Sequence, residues 1–182
     1  MDYFRFFGLD RALTIDSSRL QQRFYELSRE YHPDRFSLRP PAEQARAQQS
    51  SAFLNDGYRV LRDPIARAEY VLKQEGFDIG EQRSKDVPAE LLEEVFELNL
   101  ALEDLRQGEE NVRPQLEQAL EKFLAMNARI DTELGSLFSL WDEGQDRAVL
   151  QSIRGVLNRR RYIRNLIADV EKELARTGQA AI

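Results

Sequence analysis

The sequence predicts an all-α protein in two parts, a helical hairpin with short flanking helices followed by a three-helix bundle. Two observations carry that prediction. Apolar residues recur at steps of three and four through most of the chain, and no segment alternates apolar and polar residues as a half-buried strand would. The 9 Gly and 6 Pro among 182 residues fall at a few breaks, which fits long helices with few turns.

The elements are taken in chain order. Asp2 to Leu9 is short and aromatic, with Tyr3, Phe4, Phe6 and Phe7, and is too short to stand alone, so it docks as one or two helical turns on the helices after it. Asp16, Ser17 and Ser18 offer N-caps to a helix whose stripe is Leu20, Phe24, Leu27 and Tyr31. That helix stops at His32, because a residue before proline is pushed out of the α region. Arg35 to Pro41 reads as a loop, with Pro41 suited to the first turn of a helix over 42–61. The buried positions expected there are Ala45, Ala52, Phe53, Tyr58, Val60 and Leu61. Asp63-Pro64 ends it, and a short helix over 66–75 precedes Gly76.

The first part is thus 1–75, and 76–87 is polar, glycine-broken and reads as a linker. Three long periodic segments over 88–106, 114–141 and 146–176 form the second part, 88–176, with 177–182 as a frayed tail. Their stripes are Leu91, Val95, Leu98, Leu102 and Leu105; then Leu116, Leu120, Phe123, Ile130, Leu134 and Leu137; then Val149, Ile153, Val156, Ile163, Leu166, Val170 and Leu174. Three such helices with short connections bury their stripes most simply as an antiparallel bundle.

Composition narrows the function. Residues 1–75 carry 12 Lys+Arg against 11 Asp+Glu, and 76–182 carry 14 against 21. An acidic second half argues against nucleic-acid binding, which needs a basic surface. No run approaches the ~18 apolar residues of a bilayer span. The start MDYFRFFGLDRAL does not read as a signal peptide, so a cytoplasmic location with no membrane partner is expected. With no Cys and one His, neither a thiolate nor a His-rich metal site can form, and no metal or other cofactor is expected. Glu93/Glu94 and Glu109/Glu110 are paired carboxylates. No phosphate loop, nucleophile–base arrangement or metal spacing accompanies them, so they read as solvated positions and no catalytic residue is assigned.

His32-Pro33-Asp34 sits between the two helices of the hairpin. Upstream stands Phe24-Tyr25-Glu26-Leu27-Ser28-Arg29-Glu30-Tyr31, and downstream the run from Phe53 to Pro64 and then Arg67-Ala68-Glu69-Tyr70. Over residues 1–75 the chain resembles the J-domain family. That resemblance implies an antiparallel hairpin whose tip, with the basic face of the preceding helix, docks on an Hsp70-type ATPase in its ATP-bound state. His32, Pro33 and Asp34, with Arg23, Arg29 and Arg35, are the implied contact residues. Asp34 is an acceptor that a partner arginine can engage twice, and Pro33 limits the cost of presenting it. The alternative for each arginine is a solvated face. Tyr25 and Glu26 stand where J domains usually carry basic residues, a departure that favours a dedicated Hsp70 over a general one.

Further likeness runs through nearly the whole chain. Asp2-Tyr3-Phe4, Phe7-Gly8-Leu9, Arg67 to Leu72 with Gly76-Phe77-Asp78, Phe96-Glu97-Leu98-Asn99 and Arg161-Tyr162-Ile163 are similar to the J-type co-chaperones of iron–sulfur cluster assembly, the HscB family. The resemblance implies a co-chaperone, not an enzyme. It would stimulate the ATPase of an HscA-like Hsp70, deliver an IscU-like scaffold protein to it, and promote cluster transfer to acceptor proteins. By position, Leu92, Phe96, Glu97 and Tyr162 match the family's scaffold-binding surface. Otherwise Leu92 and Phe96 would be bundle core, and Tyr162 a half-buried aromatic. Leu100 and Ala101 stand where many members have acidic residues, which makes the contact more apolar. A J protein whose bundle binds another client is the alternative.

Overall fold

The computed structural model describes residues 2–77 and 91–179, in which seven α-helices occur and no strand. The expected linker beyond Phe77, the start of a helix at Pro88 and the tail beyond Gln179 lie outside the described residues. Two compact units are present: Met1–Asp78 with Phe138–Asp146, and Ile79–Leu137 with Arg147–Ile182.

In the first unit, α1 (Tyr3–Phe7) is stopped by Gly8 at φ 64°. The Gly8 and Leu9 N–H groups donate back to Arg5 and Phe4, a Schellman closure that needs a left-handed residue. α2 (Ser17–Glu30) is capped by Asp16, whose carboxylate accepts from Ser18 and Arg19. Leu20 and Leu27 of its stripe are buried, and Phe24 and Tyr31 half-buried. The loop expected after His32 is wound at its start into a 3-10 turn, Pro33–Phe36. α3 (Pro41–Arg62) and α4 (Pro64–Gln74) each begin on a proline, whose missing N–H costs nothing there. Asp63 caps α4 by accepting from Ile65 and Ala66, 2.8 Å each.

The face of α3 differs from expectation. Ala47, Leu54, Gly57 and Leu61 are buried, whereas Ala45 and Ala52 are exposed. Both sets repeat at seven residues, but a two-residue offset turns the stripe about 200° around the helix. Small alanines in a polar helix do not declare which face is buried; Leu54 and Leu61 decide it. At Gly57 the chain makes its closest approach, since a Cβ there would sit 2.8 Å from Tyr3 Cδ1 and 3.0 Å from Phe7 Cε2. Tyr3 also packs on Phe53 and Tyr70, both at 4.7 Å between centroids, and its N–H donates to the Tyr70 hydroxyl. Burial raises the Tyr70 pKa above the ordinary phenol value.

The segment Phe138–Asp146 belongs to this first unit. Asp142 there accepts from the backbone N–H groups of Leu13 at 2.6 Å and Thr14 at 2.7 Å, and the Arg11 guanidinium lies 5.6 Å from the centroid of the buried Trp141 ring. Arg67 is buried beside them, donating to the carbonyls of Leu13, at 2.9 Å, and Leu61. Burial lowers its pKa, and the charges of Asp142 and Asp63 oppose that shift.

In the second unit α5 (Leu92–Arg106), α6 (Arg113–Gly144) and α7 (Arg147–Gln179) run up, down and up. The ion pairs give the directions. Glu94–Lys122 joins the start of α5 to α6, Asp131–Arg160 joins α6 to α7 in reverse order, and Arg106–Glu173 aligns α5 with α7 in parallel. The α5 stripe is buried as expected, together with Ala101. On α6 and α7, Leu120, Leu137 and Val149 are half-buried, while Phe138, Trp141, Leu150, Leu157 and Ile167 are buried as well. α7 continues to Gln179, so Thr177 to Gln179 is helix and not frayed tail. No proline stops it, and each added residue gains a backbone hydrogen bond.

Two substitutions test the first unit, read by urea unfolding on the fluorescence of Trp141, the lone tryptophan. Helix propensity alone would favour Gly57→Ala by about 1 kcal/mol, but crowding the rings costs about 1–3 kcal/mol. A net loss near 1 kcal/mol is expected, and a more stable variant would mean that α1 does not seat on Gly57. Asp142→Asn should lose about 1–3 kcal/mol by removing charge from two backbone hydrogen bonds. An unmoved midpoint would show that the carboxylate is dispensable.

Candidate functional site

Local chemistry holds the His32-Pro33-Asp34 tip in shape. Tyr31 ends α2 and His32 is extended, as a residue before proline must be. The His32 Nδ1 accepts from the Asp34 N–H at 3.3 Å, and the His32 carbonyl accepts from Arg35 at 3.0 Å. The same Nδ1 lies 3.6 Å from the Asp34 Oδ2, so ring and carboxylate sit side by side at the tip. Ser37 donates from its hydroxyl to the Asp34 carbonyl at 2.9 Å. Gln44 of α3 closes the loop by donating to the carbonyls of Ser37 and Arg39, at 3.2 and 2.8 Å. The Asp34 side chain is 90% exposed on this fixed backbone. It can accept a bidentate guanidinium at little ordering cost.

The three arginines singled out in sequence do not share one environment. Arg23 is drawn into the fold, its Nε donating to the Phe7 carbonyl at 3.0 Å and its Nη1 paired with Glu26. Gln22 and Arg23 together lower the Glu26 pKa. Arg35 donates to the Arg29 carbonyl at 3.1 Å, placing positive charge where α2 ends in unpaired carbonyls. Arg29 is exposed one turn beyond the exposed Tyr25, so both lie on the outer face of α2 near the tip.

In the second unit, Leu92 and Phe96 are not bundle core. They are 56% and 65% exposed, and Leu100, 52% exposed, extends them to three large apolar side chains at four-residue steps on one face of α5. Single exposed apolar residues need no explanation, but an aligned row of three marks a contact surface. Glu97 is exposed beside the row. Ala101, in contrast, is buried. Tyr162 is half-buried on α7, and burial raises its pKa. The Arg106–Glu173 pair spans 67 positions. Carried back along two parallel helices of equal rise, the same offset sets Tyr162 level with Val95 and Phe96. Tyr162 also shares its side of α7 with Glu173, three turns on, so it faces the α5 edge.

Among the described residues no helix is long and apolar enough to cross a membrane, and no group of three His, Asp or Glu side chains could hold a metal ion. The helical hairpin with a rigid acidic tip, followed by a three-helix bundle, defines the class of J-domain co-chaperones. No protein-family model matches the chain. Solved structures do. The chaperone HscB of Vibrio cholerae is 26% identical with a TM-score of 0.64, over 94% of this chain and 96% of that one. Human co-chaperone HscB is 26% identical with a TM-score of 0.69, over 95% of this chain and 82% of that one. Over nearly its whole length the chain is therefore similar to HscB co-chaperones.

The exposed row separates from the core by stability. Phe96→Ser should change unfolding free energy by less than about 0.5 kcal/mol, as surface substitutions do. Leu98→Ala, two positions on but buried, should cost about 2–4 kcal/mol. Equal losses in thermal or urea unfolding would return Phe96 to the core.

Proposed function

We propose that this protein stimulates ATP hydrolysis by an HscA-like Hsp70 and delivers an IscU-like iron–sulfur scaffold protein to it, promoting cluster release to acceptor proteins. The observation that carries the reading is the Asp34 carboxylate, almost fully exposed on a backbone pinned by His32, Ser37 and Gln44. An Hsp70 arginine would take that carboxylate in two hydrogen bonds, with the His32 ring alongside. Arg29 and Arg35 would steer an acidic Hsp70 surface to the tip, and such charges act mainly on the rate of encounter. Arg23, tied to Phe7 and Glu26, would act chiefly by holding α1 against α2.

The scaffold would lie along Leu92, Phe96 and Leu100 with Tyr162 at its edge and Glu97 beside it. The protein performs no chemistry of its own in this scheme. It supplies a client and a trigger, and the ATPase belongs to its partner. The iron–sulfur cluster is cargo held by the scaffold; a chain with no Cys offers it no thiolate.

Single-turnover ATP hydrolysis by the Hsp70 tests the first half. Asp34→Ala should lose about 2–5 kcal/mol of docking, roughly 30-fold or more in the concentration needed for stimulation. Its scaffold affinity should stay within about twofold. Phe96→Ala should show the reverse, with scaffold binding weakened about tenfold or more and scaffold-free stimulation retained. Full stimulation by Asp34→Ala would sink the reading.

A further inference from the structure

Between α5 and α6 the bundle leaves a groove of about 600 Å³ that shares only Glu97 with the proposed scaffold contact. Its floor is apolar, made by the buried Leu98, Leu116 and Phe123. Ala101 and Ala119 line it with methyl groups where larger side chains would fill it. Its rim is acidic. Glu97 and Glu121 are exposed along it, and the Glu94–Lys122 ion pair, at 2.8 Å, crosses between the helices. The Lys122 ammonium holds the Glu94 pKa below its ordinary value. Three carboxylates against one ammonium leave the rim net negative.

The groove is continuous with the apolar row. Leu100 and Ala101 are consecutive residues, one facing out and one into the groove, and Glu97 lies one turn before both. Glu97 therefore serves both surfaces.

We infer that the client contact runs from the α5 row into this groove, and that the client segment places a lysine or arginine there, next to the apolar residues that cover Leu92, Phe96 and Leu100. The inference rests on the scaffold reading for the identity of the client, but the groove's chemistry sets what the segment must carry. The part-exposed Ala119 methyl group beneath a rim of Glu97 and Glu121 suits a side chain with an aliphatic stem and a cationic head, which lays the first along the methyl and keeps the second at the surface. A purely apolar segment would leave the carboxylates facing it without counter-charge, and an acidic one would be repelled. The cation adds specificity and encounter rate beyond what the apolar row supplies.

The test titrates an IscU-like scaffold protein onto the full chain and three variants. Ala119→Phe fills the groove, the Glu97→Gln and Glu121→Gln pair removes its charge without changing shape, and Phe96→Ala marks the apolar row. Ala119→Phe should weaken binding about tenfold with helicity unchanged. The paired glutamine variant should weaken it about fivefold and flatten its salt dependence between about 50 and 300 mM NaCl. If Phe96→Ala weakens binding while both groove changes leave it at the wild-type value, the scaffold reading stands and this inference falls. If the scaffold does not bind the wild type, that reading falls, and a short leucine–lysine peptide decides the groove. It should shift the amide resonances of Ala101, Gln118 and Ala119 in the wild type and not in Ala119→Phe. No shift at about 2 mM peptide, or equal shifts from a leucine–glutamate peptide, would overturn the inference. Sedimentation showing a dimer that Ala119→Phe dissociates would assign the groove to a second copy and overturn it as well.

Discussion

The first unit is organised around a buried arginine and a carboxylate that arrives from far along the chain. Arg67 has almost no contact with water, so its guanidinium must be satisfied from within, and it takes the carbonyls of Leu13 and Leu61. Asp142 answers on the other side of the same segment by accepting the N–H groups of Leu13 and Thr14. Three backbone groups of the irregular stretch between α1 and α2 are thereby paired around the buried Leu13. Removing Asp142 would take away a negative charge that offsets the desolvation of the buried Arg67 guanidinium.

In the proposed function two different kinds of recognition stand on the two units. The tip is small, charged and rigid. Its value lies in an acceptor displayed on a backbone whose conformation is already set, so that little entropy is lost on docking. The α5 face is broad and apolar, and its gain comes from area removed from water. A rigid charged point discriminates a partner by geometry, whereas an apolar row with an acidic flank discriminates by shape and by the sign of the charge set beside it. The first suits a transient trigger, the second a client to be carried.

Much of this was legible in the chain. Asp16 and Pro41 marked helix starts and Asp63-Pro64 the end of α3, since their effects are local and act through the adjacent backbone. The bundle stripe of α5 was readable from the three- and four-residue steps of Leu91, Val95, Leu98, Leu102 and Leu105. The α3 face was not, because Ala45 and Ala47 look alike to a periodicity argument and only packing against α1 and α2 selects between them. The α4 start and the reach of α7 each shifted by two or three residues, where proline geometry and helix propagation outweighed the expected end points.

The sequence by itself determined the all-α class, the caps and breaks, and the His32-Pro33-Asp34 tip, all of which rest on interactions within a few residues. It also brought Leu92 and Phe96 forward, but left open whether they face solvent or core. Tertiary structure alone decided that question, joined Asp142 to Leu13 and Arg67, drew Arg23 away from a purely exposed role, and opened the groove under Glu97. Each of those depends on contacts between residues far apart in the chain, and periodicity says which residues share a helix face without saying what that face will meet.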